Sequence, residues 1–262
     1  MSVRVAVARW PEERLQSADT EALVYVSSLR GTDDQLQRAI ETLSRVERER
    51  HALYANEVVA RRYAIGRATT RAILGHHLGI DPPIVPLRHE PQGKPVLARR
   101  DAPGPQLWFS VAHCDDIQLV ALSTTSDVGV DVERSRAIEH WERVADRVLD
   151  PVERRQLTES VAAGQDAGAA FLRLWCRVEA ELKAIGCGIQ GLDAHRAGVR
   201  PAGYRVRDLN SLPLPSDLAV SGRRYQAAVA LCAPRADSVR ASHVAAAEQT
   251  IPVISPATAS MA

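Results

Sequence analysis

Three carboxylates and a lysine stand out by type and spacing. Residues two apart on a strand point to one side. In the apolar run Gly129-Val130-Asp131-Val132-Glu133, Asp131 and Glu133 therefore aim together. Like charges so placed repel and lose solvation, and a divalent cation is the most economical counter-charge. The plainer alternative is a strand end where both meet water or pair with Arg134 and Arg136. Downstream, Trp175, Glu179 and Lys183 fall at i, i+4 and i+8 of a helical run and share one face. That pattern also suits an ordinary Glu-to-Lys helix pair. Taken together, a third carboxylate joins the first two, with an ammonium one turn away. Lys94, between Gly93 and Pro95, and His113, at the end of Trp108-Phe109-Ser110-Val111-Ala112-His113, add donors. Alone, each also reads as a solvated loop lysine or a structural histidine. As a set they describe a metal-assisted site that handles a diphosphate.

These residues need elements to position them. Strands are expected at 3–7, 107–111, 117–123, 128–132, 203–206 and 225–232, the third and fourth joined by the polar turn Thr124-Thr125-Ser126-Asp127. Helices are expected at 34–43, from a Ser44/Glu47 capping box, at 58–78, 138–149, 151–160 with Asp150 as cap and Pro151 in the first turn, and at 171–185. Pro82, Pro83 and Pro86 are expected to end the long early helix, and Gly186 and Gly188 the last one. Residues 89–97 read as a Pro/Gly loop, and the tail 237–262 as disordered.

Composition narrows the class. The chain has 262 residues, 33 basic and 32 acidic, so a strongly basic nucleic-acid binder is disfavoured. No apolar stretch is long enough to cross a membrane. The cysteines Cys114, Cys176, Cys187 and Cys232 form no CxxC pair and no zinc spacing. A cytoplasmic protein is expected. All the basic residues except Lys94 and Lys183 are arginines, which marks those two positions as requiring an ammonium.

In order and spacing, Gly-Lys-Pro, Phe-Ser-x-Ala-His-Cys, Gly-x-Asp-x-Glu and Trp-Cys-x-x-Glu-Ala-x-x-Lys resemble the 4′-phosphopantetheinyl transferases of the surfactin-synthetase-activating type, over residues 43–233. The resemblance implies an α+β monomer of two similar subdomains related by a pseudo-twofold axis, each a small antiparallel sheet packed with helices. Residues 1–124 would be the coenzyme A nucleotide side, and 125–236 would carry the metal and the catalytic helix. The implied reaction moves the phosphopantetheine arm of coenzyme A to a serine of an apo acyl-, peptidyl- or aryl-carrier protein. Adenosine 3′,5′-bisphosphate is released, and the carriers belong to fatty-acid, polyketide or nonribosomal-peptide synthesis. Asp131, Glu133 and Glu179 would hold Mg2+ or Mn2+, and Glu179 would take the serine proton. Lys183 would contact the α-phosphate. Lys94, His113, Arg50 and Arg62 would bind the nucleotide and its 3′-phosphate. No nucleic acid or membrane partner is implied. Two positions depart from the family: Ala112 replaces a serine that bonds the phosphate, and Val178 replaces a lysine, with Arg177 adjacent as a substitute. A binder of coenzyme A or carrier proteins without turnover is the alternative class these two changes suggest.

Overall fold

The computed structural model describes residues 4–9, 20–90, 93–98, 106–220 and 222–234; the tail 237–262 lies outside them. Alternating and continuous apolar runs become three sheets. Strands β1 (Val5–Arg9), β2 (Ala22–Ser28), β5 (Trp108–Cys114) and β6 (Ile117–Ser123) form a sheet in the order β1-β2-β6-β5, antiparallel except that β1 runs parallel to β2. Strands β7 (Asp127–Arg134), β8 (Arg205–Asp208) and β9 (Tyr225–Cys232) form an antiparallel sheet in the order β7-β9-β8. A two-stranded hairpin, β3 (Leu87–His89) and β4 (Pro95–Leu97), occupies most of the expected Pro/Gly loop. Its strands are three residues each, too short to show a period of two.

The first and third sheets meet along β5 and β7 without a backbone ladder. Ser110 Oγ accepts from the Val130 amide at 3.2 Å, and Cys114 Sγ accepts from the Arg134 amide at 3.3 Å. One apolar cluster spans the seam, joining Val24, Ile117 and Leu119 to Val128, Val130 and Val229. The seam therefore keeps β5 beside β7, and so His113 on the strand next to the one that carries Asp131.

Helix α1 (Asp33–Thr42) is closed by a Thr32/Gln35 capping box, and α2 (Arg45–Ala52) by the Ser44/Glu47 box read from the sequence. The long α3 (Glu57–Leu78) stops at Gly79 in the left-handed conformation (φ 67°), ahead of the prolines expected to end it. Beyond β7 come α4 (Trp141–Val148), α5 (Pro151–Ala162), α6 (Ala167–Ile185) and the short α7 (Leu192–Arg196) and α8 (Ser216–Ala219). Asp150 caps α5 through the amides of Val152 and Glu153.

Helix α6 lies directly on β7, and Gly129 permits this. A Cβ there would stand 1.9 Å from the Ala180 carbonyl oxygen and 2.4 Å from the Ala184 nitrogen.

One ion pair stitches α2 to α3. Arg71, 2% exposed, donates Nε to Glu47 at 2.7 Å and Nη1 to the carbonyls of Pro82, Pro83 and Val85. Burial alone would raise the Glu47 pKa, but bonds from Arg71 and Ser44 outweigh it and hold the carboxyl below its ordinary value. A depressed folded-state pKa gives stability that is present above the ordinary carboxyl pKa and is lost as pH falls through the lower folded one. Thermal melts between about pH 3 and pH 7 should show this acid limb in the wild type. In Glu47→Gln, which costs about 3 kcal/mol by stranding Arg71, the limb should flatten. Equal melting temperatures for the two proteins at pH 7 would exclude the pair as a stabilising contact.

Candidate active site

The expected face of α6 is present. Trp175, Glu179 and Lys183 are all partly buried; Trp175 packs on the apolar cluster between α4, α5 and α6, while Lys183 reaches β7. Lys183 Nζ donates to Asp131 Oδ1 at 2.6 Å. Asp131 is 7% exposed, and its second oxygen, Oδ2, is buried with no hydrogen-bonding partner. Glu133, two residues along β7, accepts from Arg136 at 2.9 Å. Burial raises the Glu179 pKa; the charges of Asp131 and Glu133 push it further, against the opposing pull of Lys183. The three carboxylates thus share one electrostatic neighbourhood with the lysine. A carboxyl held above its ordinary pKa is a better proton acceptor than a free one when ionised.

His113 lies exposed near the end of β5. Desolvation by the surrounding protein lowers its pKa; Lys183, Arg62 and Arg67 lower it further, while Asp131 opposes them. The charges that act on its ring thus come from Arg62 and Arg67 of α3, Lys183 of α6 and Asp131 of β7. Arg62 lies within that field and is bonded to Asp116 at 2.7 Å. Arg50 stacks over the Tyr63 ring at 5.6 Å, and Arg67 over the same ring at 5.9 Å. Arg67 also contacts His89 Nε2 at 2.7 Å. Arg67, His89 and Tyr63 extend the basic wall and were not singled out from sequence. The i, i+4 spacing of Tyr63 and Arg67 was available as a signal, but the partner His89 comes from the hairpin.

Lys94 Nζ donates to the carbonyls of Val128 and Ala184, each at 3.3 Å. The ammonium meets the carbonyl-rich C-terminal end of α6, where a cation is favoured, and ties the β3–β4 hairpin to that helix. Val178 is completely buried among Leu157, Leu174 and Leu182, so position 178 belongs to the core between helices. Arg177 does not stand in for a lysine there, since it grips Asp208 with two bonds of 2.6 Å. Ala112 is likewise buried, in the apolar cluster of the seam. Both departures from the family are packing features of this chain.

Whether the acidic set suits a divalent cation can be judged from its donors. Among the described residues, no three His, Cys, Asp or Glu side chains converge into a ligand set. The donors nonetheless fit magnesium. They are hard carboxylate oxygens, one is buried and unpartnered, and this ion takes few protein ligands and keeps several waters.

Comparison with known proteins assigns the two halves. Residues 127–230 match the 4′-phosphopantetheinyl transferase superfamily, and residues 28–125 match 4′-phosphopantetheinyl transferase, N-terminal. The chain is 34% identical over 169 residues to the 4′-phosphopantetheinyl transferase HetI of Nostoc, spanning 64% of this chain and 70% of that protein. This chain belongs to the 4′-phosphopantetheinyl transferase superfamily. It is 36% identical over 149 residues to a putative 4′-phosphopantetheinyl transferase of Synechocystis, 57% of this chain and 59% of that one. Over 116 residues it is 34% identical to the 4′-phosphopantetheinyl transferase AcpT of Escherichia coli K12, 44% of this chain and 55% of that one. The chain is thus a transferase of the α+β class expected. The superfamily match covers all of β7 and α6 and most of β9, the elements that carry and support the acidic set.

Proposed function

We propose that this protein transfers the 4′-phosphopantetheine arm of coenzyme A to a serine of an apo acyl-, peptidyl- or aryl-carrier protein, releasing adenosine 3′,5′-bisphosphate. In this reading it is a magnesium-dependent, cytoplasmic, monomeric enzyme of the surfactin-synthetase-activating type. Among the described residues no helix is long and apolar enough to cross a membrane. We divide the chain into a nucleotide-binding lobe, 1–124, and a catalytic lobe, 125–236. The observation that carries the reading is the contact of Lys183 with Asp131 at 2.6 Å, beside a Glu179 whose carboxyl is raised by burial and by its acidic neighbours.

Asp131, Glu133 and Glu179 would hold Mg2+, which supplies charge neutralisation of the pyrophosphate when bound. Glu179 accepts the proton of the carrier serine. The serine oxygen then bonds to the phosphorus on the pantetheine side, and the bond from that phosphorus to the bridging oxygen breaks. The electron pair leaves on the α-phosphate of adenosine 3′,5′-bisphosphate. Lys183 donates a hydrogen bond to that oxygen, where charge develops. Arg50, Arg62 and His113 orient the nucleotide, and Lys94 holds the hairpin that borders it.

Incubation with Mg2+, coenzyme A and apo-carrier proteins should add the mass of the arm to the carrier serine. Absence of that gain across fatty-acid, polyketide and peptide carriers would exclude the reading.

Lys183→Arg should lower kcat about 100-fold despite keeping the charge. A guanidinium can keep a 2.6 Å contact with a carboxylate, as Arg177 does with Asp208, but its planar fork cannot replace the compact, rotatable ammonium that must also reach the phosphate oxygen. Transfer kinetics within about threefold of wild type would show that charge alone suffices there.

A further inference from the structure

Behind α6, on the face opposite Glu179 and Lys183, lies a second charged cluster. Glu181 is two residues from each of them, about 200° around the helix, and only 1% exposed. Its Oε2 is 3.0 Å from His195 Nδ1 on α7. The other ring nitrogen, His195 Nε2, is 2.9 Å from Glu153 Oε2 in the first turn of α5. The His195 ring is fully enclosed, with the residue 1% exposed. A neutral imidazole has one donor and one acceptor nitrogen, so it can serve only one of two carboxylates. With both carboxylates ionised, both bonds form only with the imidazolium.

The surrounding charges agree. Arg200 pairs with Asp150 on α5, and its Nε stands 3.4 Å from Glu181. Arg200 also donates to the His195 carbonyl at 2.9 Å and packs on the Tyr204 ring. On the histidine's own helix, Asp193 pairs with Arg196, which reaches the Asp146 carbonyl on α4. Three buried acids, Asp150, Glu153 and Glu181, thus face two bases, His195 and Arg200. Burial pushes the His195 pKa down, but the bonds from Glu153 and Glu181 override it and lift it to about 9.

The cluster ties α5, α6 and α7 together at one point. That point is one residue from Ala180, the residue whose carbonyl rests on Gly129 of β7. We propose that Glu153, His195 and Glu181 form a positioning clamp that seats α6 on β7 in the register placing Glu179 and Lys183 beside Asp131. The proposal rests on the catalytic reading of Glu179 and Lys183 given above.

None of the clamp residues touches the reacting groups, so its signature is in turnover rather than binding. In Glu181→Gln and His195→Gln, kcat should fall about 10-fold, while KM for coenzyme A and for the carrier changes less than about twofold. A raised histidine pKa gives stabilisation that is complete below the ordinary value of 6.5 and gone above about 9. Wild-type kcat should therefore decline above about pH 9. In Glu181→Gln, with one carboxylate fewer, that decline should move to lower pH. Should His195→Gln not fold, Glu181→Gln and NMR titration of the wild-type His195 ring carry the test. An imidazolium at pH 7.5 supports the clamp, and a ring titrating at its ordinary value overturns it. Variants with wild-type kcat and an unmoved alkaline limb also overturn it. A wild-type protein that transfers nothing to any carrier instead overturns the proposed function, and the ring titration still decides the clamp.

Discussion

Asp131→Ala should reduce transfer by at least about 1,000-fold, or roughly 4 kcal/mol of transition-state stabilisation. The two carboxylate oxygens stand in different situations. One oxygen holds the Lys183 ammonium at 2.6 Å, and the other is buried without a hydrogen-bonding partner. A carboxylate oxygen left so is costly in a purely structural role. Its removal should therefore disturb folding little. The alanine protein should melt within a few degrees of wild type, because Lys183 remains partly exposed and can be solvated. The measurement is single-turnover transfer to a carrier at saturating Mg2+, beside a thermal melt. Glu159→Ala, on the exposed side of α5, supplies a neutral comparison. Wild-type turnover by Asp131→Ala would remove β7 from the catalytic description altogether.

Gly129→Val should be the most damaging change to the fold. The added carbons would meet the backbone of Ala180 and Ala184, which cannot rotate aside as a side chain can. Contact at 1.9 Å forces α6 to lift from β7. Overpacking of this kind costs about 3 kcal/mol or more. Gly129→Ala should show the same effect in milder form. Its activity loss should exceed what its unfolded fraction explains, because a lifted α6 takes Glu179 and Lys183 away from Asp131. Urea midpoints and kcat measured on the same samples decide it. A midpoint unchanged in Gly129→Val would mean that helix and strand are not apposed as described.

Much of this arrangement was legible in the sequence where the signal is local. The Ser44/Glu47 capping pair and the Asp150-Pro151 step announce two helix starts, since the signals lie within one turn. The period of two in β7 and of four in α6 places Asp131, Glu133, Glu179 and Lys183 on facing surfaces. What was not legible depends on partners distant along the chain. Val178 lies between Arg177 and Glu179, yet packs on Leu157, while Arg177 reaches Asp208. No property of the segment itself says which neighbour enters the core. His195 sits in a five-residue helix with no detectable period, and its meaning comes from Glu153 and Glu181. Lys94 matched a motif, but the carbonyls it binds belong to β7 and α6.

The seam between β5 and β7 has a mechanical consequence. A backbone ladder would make one stiff plate of the two sheets. Here the crossing hydrogen bonds pass through the Ser110 hydroxyl and the Cys114 thiol, over a shared greasy layer. Such a joint resists separation but yields to small rotations, since dispersion contacts have no preferred direction and each side-chain bond can swing about its own torsion. His113 on one sheet and the acidic pair on the other are thus two jaws on a flexure, able to adjust their gap without unmaking either sheet.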